Sequence, residues 1–160
     1  MSRLRVNSTM RKIRHLVEDK MVLDIGNKGM AQGKSMGSEI QKVASFYQGI
    51  DEEEDVQKFS LGKKFEVITC LEVMEHIQNP GLAIDRIVDH LSDDGILILS
   101  VPNIKSIYFR FVPQTKYHLS CWDKKTLKNR LEKHFQDVRI KRINFGRTLL
   151  VTCRGFCCFI

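Results

Sequence analysis

Three apolar, β-branched runs set the main constraint on this chain: Met21–Ile25 (MVLDI), Phe65–Leu71 (FEVITCL) and Ile96–Val101 (ILILSV). Each is long enough for a strand and far short of the roughly 20 residues a membrane span needs. Segments with helical spacing lie around them. Met10, Ile13 and Val17 share one face of an N-terminal helix, and Ile40, Val43, Ala44 and Tyr47 share another. Leu82, Ile84, Ile87, Val88 and Leu91 suit a helix that starts near Asn79–Pro80, where proline is favoured in the first turn. Leu127, Leu131 and Phe135 mark a further helix with Asp123 as its N-cap. The stretch 92–95 (SDDG) reads as a turn. Val138–Ile143 and Thr148–Cys153 read as a final hairpin turning near Asn144–Gly146.

Strands alternating with amphipathic helices imply an α/β fold with a mostly parallel sheet and helices on both faces. A chain of 160 residues supports one such domain, spanning 1–160. In these sheets ligands bind where the parallel strands end. The residues just after the three apolar runs are therefore the functional candidates.

Charge is unevenly placed. Residues 1–20 carry net +4, residues 21–101 net −7, and residues 102–147 net +9. The basic last third can attract phosphate, nucleic acid or an anionic surface, or can simply be a solvated helix and strand edge. Aromatic residues make up only 8%, which leaves few stacking platforms for single-stranded nucleic acid. The basic N-terminus has no apolar segment of the secretory kind, and the five cysteines form no CxxC pair. These features predict a cytoplasmic protein with free thiols and no transmembrane segment.

Three constellations can carry chemistry. Asp24 and Gly26 end the first apolar run. A glycine there admits close backbone approach, and the carboxylate can accept from a ligand ammonium or hydroxyl, although strand–glycine turns are also common as plain structure. Glu72, Glu75 and His76 follow the second run at i, i+3 and i+4, which puts them on one face of a helical stretch. Two carboxylates and an imidazole can hold a divalent ion such as Mg²⁺, act as a general base, or cap the next helix. His118 lies in a long loop, 102–121, of a length that is usually functional in a compact domain.

Four segments in order carry a family resemblance. They are 21–29 (MVLDIGNKG), 65–80 (FEVITCLEVMEHIQNP), 91–103 (LSDDGILILSVPN) and 118–135 (HLSCWDKKTLKNRLEKHF). Together they resemble class I S-adenosylmethionine-dependent methyltransferases, nearest to the small-molecule and glycan branch that includes the ubiquinone O-methyltransferases. The resemblance implies a Rossmann-like sandwich with a C-terminal antiparallel hairpin. It also implies methyl transfer from S-adenosylmethionine to an oxygen, less readily a nitrogen, of a small molecule or glycan. Asp24 and Gly26 would lie beside the methionine part of the cofactor, with Gly29 a further cofactor-binding position. Asp51 would bind the ribose hydroxyls, and Leu71 would lie against the cofactor. Glu72, Glu75 and His76 match a metal-supplying segment, with His118 or His76 as base or His118 as a further ligand.

The sequence also departs from the pattern. Lys28 and Met30 stand where the loop has glycines, and only 13 residues separate Asp51 from Phe65. That gap is too short for an ordinary helix plus strand, so the fold is expected to lack or shorten one of each. These departures keep two other functions in view. One is a non-catalytic binding subunit on the same fold. The other is a nucleic-acid methyltransferase, suggested by the basic last third.

Overall fold

The computed structural model describes residues 3–26, 35–50, 56–112 and 118–157. In chain order the elements are α1 (Arg3–Val17), β1 (Met21–Ile25), α2 (Met36–Gln41), β2 (Phe46–Ile50), β3 (Phe65–Leu71), α3 (Pro80–His90), β4 (Leu91–Pro102), α4 (Tyr108–Phe111), α5 (Lys124–Leu131), β5 (Phe135–Ile143) and β6 (Thr148–Phe156). A short 3₁₀ turn, Met74–His76, links β3 to α3. The six strands form one sheet in the order β2-β1-β3-β4-β6-β5. The first four are parallel, and β6 and β5 add an antiparallel edge. The sheet is Rossmann-like, mostly parallel and closed by a C-terminal antiparallel hairpin, as the resemblance implied.

β1, β3 and the second half of β4 are apolar at most positions because both of their faces are covered. Alternate residues go to opposite sides. Leu23, Ile25, Ile68, Cys70, Leu97 and Leu99 enter one core with Ile84, Ile87 and Leu131 from α3 and α5. Val22, Val67 and Ile98 enter the other with Ile13, Val17 and Ile40 from α1 and α2. A one-residue slip would exchange the two sets, so the register is firmly specified.

Both helix starts expected near β3 and α5 are present. The Asn79 side chain accepts from the Gly81 and Leu82 N–H groups, with Pro80 in the first turn. Asp123 and Thr126 form a reciprocal capping box. Among the described residues no helix is long and apolar enough to cross a membrane.

Four local expectations are corrected. Tyr47 lies in β2, not on a helix, and α2 stops at Gln41. The apolar positions 40, 43, 44 and 47 fit a helical period by chance: among the described residues β2 pairs only with β1 and is partly exposed on the sheet's edge. Phe135 opens β5 rather than closing α5. The stretch 92–95 does turn, but inside β4: Leu91 pairs with Phe65 and Ile96 with Val67, so four residues bulge out between two ladder positions. The long loop 102–121 contains α4.

The shortened middle is visible too. Beyond β2 no further strand appears among the described residues. Val56 and Phe59 drop straight into the core, and the Phe59 ring lies 4.4 Å from that of His90. His90 fixes this connection from α3: its Nε2 accepts from the Leu61 N–H at 3.0 Å, while Nδ1 lies 2.7 Å from the Arg86 carbonyl.

Candidate active site

The chain turns back between β1 and β3: β2 lies on one side of β1, and β3 and β4 lie on the other. This is the switch point where α/β sheets bind ligands, outside the strands' C-terminal ends. Gly26 leaves β1 there with φ +83°. Its N–H bonds the Ile50 carbonyl at 2.9 Å, which ties the ends of β1 and β2 together. A Cβ on Gly26 would stand 2.2 Å from Val73 Cγ2, so only glycine lets the β3 exit pack so close.

Asp24, one turn of the pleat earlier, is 5% exposed. Thr69 on β3 donates to its Oδ1 at 2.5 Å, and Tyr47 on β2 donates to its Oδ2 at 2.8 Å. Burial still holds its carboxyl above the usual range, against the lowering effect of both hydroxyls. The Tyr47 phenol is raised in turn, first by burial and then by the charge of Asp24. A carboxylate has about four acceptor positions, so two remain after these bonds.

The β3 exit carries the second group. Leu71 is half-buried, and Glu72 adopts φ +60°. The Glu72 N–H bonds the Ser100 carbonyl, and the Ser100 hydroxyl donates to its carboxylate at 2.9 Å. Burial raises the Glu72 carboxyl, opposed mainly by that hydroxyl and then by the nearby Arg5 charge. The 3₁₀ turn then places Glu75 and His76. The Glu75 side chain is only 2% exposed, and its Oε1 lies 3.9 Å from His76 Nε2.

The loop before α5 delivers His118 to the same place. The Leu119 and Ser120 N–H groups both bond the Glu75 carbonyl, at 2.7 and 3.1 Å. The His76 and His118 rings meet edge to face, with centroids 5.1 Å apart. One ligand atom from each of Glu75, His76 and His118 lies within 4.8 Å of the others. Burial pushes the His118 imidazole below its ordinary pKa, and the neighbouring His76 adds to this. The neutral form that binds metals or accepts protons is thereby favoured.

A cavity of about 370 Å³ opens at this cluster, lined also by Glu72, Arg5, Tyr108, Phe109 and Arg147. The structure therefore groups the candidates differently from their sequence spacing. Glu75 and His76 stay together and are joined by His118, while Glu72 shares the cavity but is bonded to Ser100. Asp24 and Gly26 sit at the neighbouring strand end. Gly29 and Asp51, with Lys28 and Met30, lie outside the described residues. Sequence reasoning missed Tyr47, Thr69, Arg5, Tyr108 and Arg147. The Thr69–Asp24 contact needs the β1–β3 pairing, and Arg147 reaches the cavity only through the hairpin; local spacing carries neither.

A family model described as a methyltransferase domain matches residues 10–142. The ubiquinone biosynthesis O-methyltransferase of Glaesserella parasuis serovar 5 is 44% identical over 41 residues, 26% of this chain and 17% of the relative. That of Rickettsia canadensis is 32% identical over 72 residues, 44% of this chain and 30% of the relative. The chain thus aligns with less than a third of either curated relative's length. Solved structures share the fold along nearly the whole chain. CalS10 with bound S-adenosylmethionine, an amino pentose methyltransferase from Micromonospora echinaspora, has a TM-score of 0.71 at 14% identity, covering 94% of this chain and 90% of that one. The N-methyltransferase NodS from Bradyrhizobium japonicum with S-adenosyl-L-homocysteine has a TM-score of 0.63 at 17% identity, covering 96% and 86%.

Proposed function

Because the chain belongs to the methyltransferase domain family, we propose that it transfers the methyl group of S-adenosylmethionine to an oxygen of a small molecule or glycan, with nitrogen the second choice. The observation that carries this reading is the Glu75–His76–His118 cluster, set at the C-terminal end of β3 beside the switch point of the sheet. The short stretches shared with two ubiquinone biosynthesis O-methyltransferases support oxygen.

The residues present suit the cofactor on one structural test. Gly26 turns the chain at the β1 exit with φ +83°, and Asp24 keeps acceptor capacity beyond its two hydroxyl partners. Asp24 and Gly26 would lie beside the methionine part, Asp51 would hold the ribose, and Gly29 and Leu71 would complete the cofactor site. When bound, S-adenosylmethionine supplies an electrophilic methyl on a sulfonium. The chain's own task is alignment of the acceptor hydroxyl with that methyl, an effect worth up to roughly 7–11 kcal/mol in well-oriented systems.

Glu75, His76 and His118 also suit a divalent cation, with Glu72 in the same cavity. One carboxylate and two imidazoles match Mn²⁺, Co²⁺ or Zn²⁺ better than Mg²⁺, which prefers oxygen ligands. Such an ion would lower the pKa of an acceptor hydroxyl bound to it. Without it, His118 or His76 can take the hydroxyl proton directly.

The test is transfer of radiolabel from S-adenosylmethionine to hydroxylated small molecules, with Mn²⁺ or with chelator. Metal-stimulated transfer that disappears in Glu75→Gln supports the reading. A second reading, a non-catalytic binding subunit, is favoured by Lys28 and Met30 in the glycine loop. It predicts a folded chain that binds neither S-adenosylmethionine nor S-adenosylhomocysteine.

A further inference from the structure

The cavity that holds the carboxylate–imidazole cluster is lined also by two arginines, Arg5 from α1 and Arg147 just before β6. Their circumstances differ. Arg5 lies near enough to Glu72 to favour that carboxylate's ionised form. Arg147 has no carboxylate within ion-pair distance among the described residues. Its guanidinium lies 4.0 Å from the centre of the Tyr108 ring, and the Phe109 ring stands edge-on to Tyr108 at 5.2 Å.

The backbone beneath Arg147 is fixed. The Asn103 N–H bonds the Arg147 carbonyl at 2.7 Å, and Asn103 Nδ2 bonds the Gly146 carbonyl at 2.8 Å. Asn103 itself is 4% exposed. A half-buried guanidinium, stacked on an aromatic face and anchored at its base, has lost much of its freedom before any ligand arrives. That preorganisation favours binding of a planar anion. One planar carboxylate matches one guanidinium fork through two parallel hydrogen bonds.

We propose that the acceptor is a hydroxy carboxylic acid, its carboxylate held by Arg147 against Tyr108 while its hydroxyl faces the Glu75–His76–His118 cluster. Arg147 is thus a specificity residue: it selects the acceptor's charge at a distance from the reacting hydroxyl. The proposal rests on the transfer reading only in taking this cavity as the acceptor's place.

The experiment compares two ligands that differ in one charge, 3,4-dihydroxybenzoate and 3,4-dihydroxybenzamide. Each is titrated calorimetrically into the full chain with S-adenosylhomocysteine and Mn²⁺, then assayed with S-adenosylmethionine. The acid is expected to bind at least tenfold tighter than the amide. Arg147→Met, which keeps the apolar stem, should abolish that preference and leave amide binding within twofold. Arg147→Lys should restore part of the preference, and all variants should melt within a few degrees of the parent. In turnover the difference should fall on KM with kcat little changed. Equal binding of acid and amide, binding of neither, or an equal loss of both in Arg147→Met overturns the proposal. A charge preference in binding without any methyl transfer supports the anion subsite and counts against the transfer reading.

Discussion

Asp24 and Glu75 are both deeply buried carboxylates at the same end of the sheet, yet they keep different company. Asp24 is held by two hydroxyls, Thr69 and Tyr47, from the strands on either side of β1. Glu75 stands beside two imidazoles, His76 and His118, brought from a turn and a distant loop. A buried carboxylate needs partners in either case. Hydroxyl donors tie β2 and β3 to β1 and add no net charge. Imidazoles beside a carboxylate offer lone pairs to a cation. The same residue chemistry thus clamps strands on β1 and, in the reading proposed above, supplies a ligand set after β3.

The sharpest way to break this contrast is to remove a ligand. His118→Ala and Glu75→Gln should each lower kcat/KM roughly 1,000-fold, on the several-kcal/mol scale of metal-assisted charge stabilisation. Their melting temperatures should stay near the parent's. If the loss follows unfolding instead, the cluster is part of the scaffold and the contrast fails.

The β1 side should respond in stability. Gly26→Ala combines a positive φ with the Val73 clash and should destabilise by about 3 kcal/mol or more, measured by urea unfolding. In a Val73→Ala background the same substitution should cost markedly less, since its obstacle is gone. Equal costs in both backgrounds would assign the effect to backbone strain alone.

Tyr47→Phe removes one hydroxyl from Asp24 and should cost about 1–2 kcal/mol, mostly through the buried carboxyl it leaves half-satisfied. Metal affinity should not move. A fall in metal affinity would show that the two carboxylates are coupled.

The smallest effect lies away from both. Asp123 caps α5 and pairs with Lys105 at 2.7 Å, and that contact with the helix N–H groups holds its carboxyl down to about 2. A depressed carboxyl contributes stability above its unfolded pKa and loses it as pH falls. The contribution should therefore be complete above about pH 4 and fade towards about pH 2. Asp123→Ala should cost about 1 kcal/mol at neutral pH and flatten that acid limb.

The sheet was legible because its signals are local. Met21–Ile25, Phe65–Leu71 and the apolar half of β4 are buried on both faces and read as strands without help from the rest of the chain. Asn79–Pro80 and Asp123 mark helix starts by backbone chemistry that any chain uses. The edge strand β2 was not legible: only Ile50 of its five residues is buried, and Tyr47 reaches Asp24, a partner 23 residues away. The site was legible by residue and not by grouping. Glu75 and His76 adjoin in sequence, but His118 joins them through the Leu119 and Ser120 bonds to the Glu75 carbonyl. Glu72 shares their spacing, yet its left-handed backbone gives it to Ser100. Spacing rules assume a regular helix, and a 3₁₀ turn after a strained residue is not one.

The measurement that bears most directly on the central claim is calorimetric titration of Mn²⁺ into the protein saturated with S-adenosylhomocysteine, beside the same titration of His118→Ala. The account predicts one ion per chain in the parent and at least a 100-fold weaker affinity in the variant, with S-adenosylhomocysteine binding kept in both. Failure of the folded parent to bind S-adenosylhomocysteine, or an ion held equally well without His118, would contradict it.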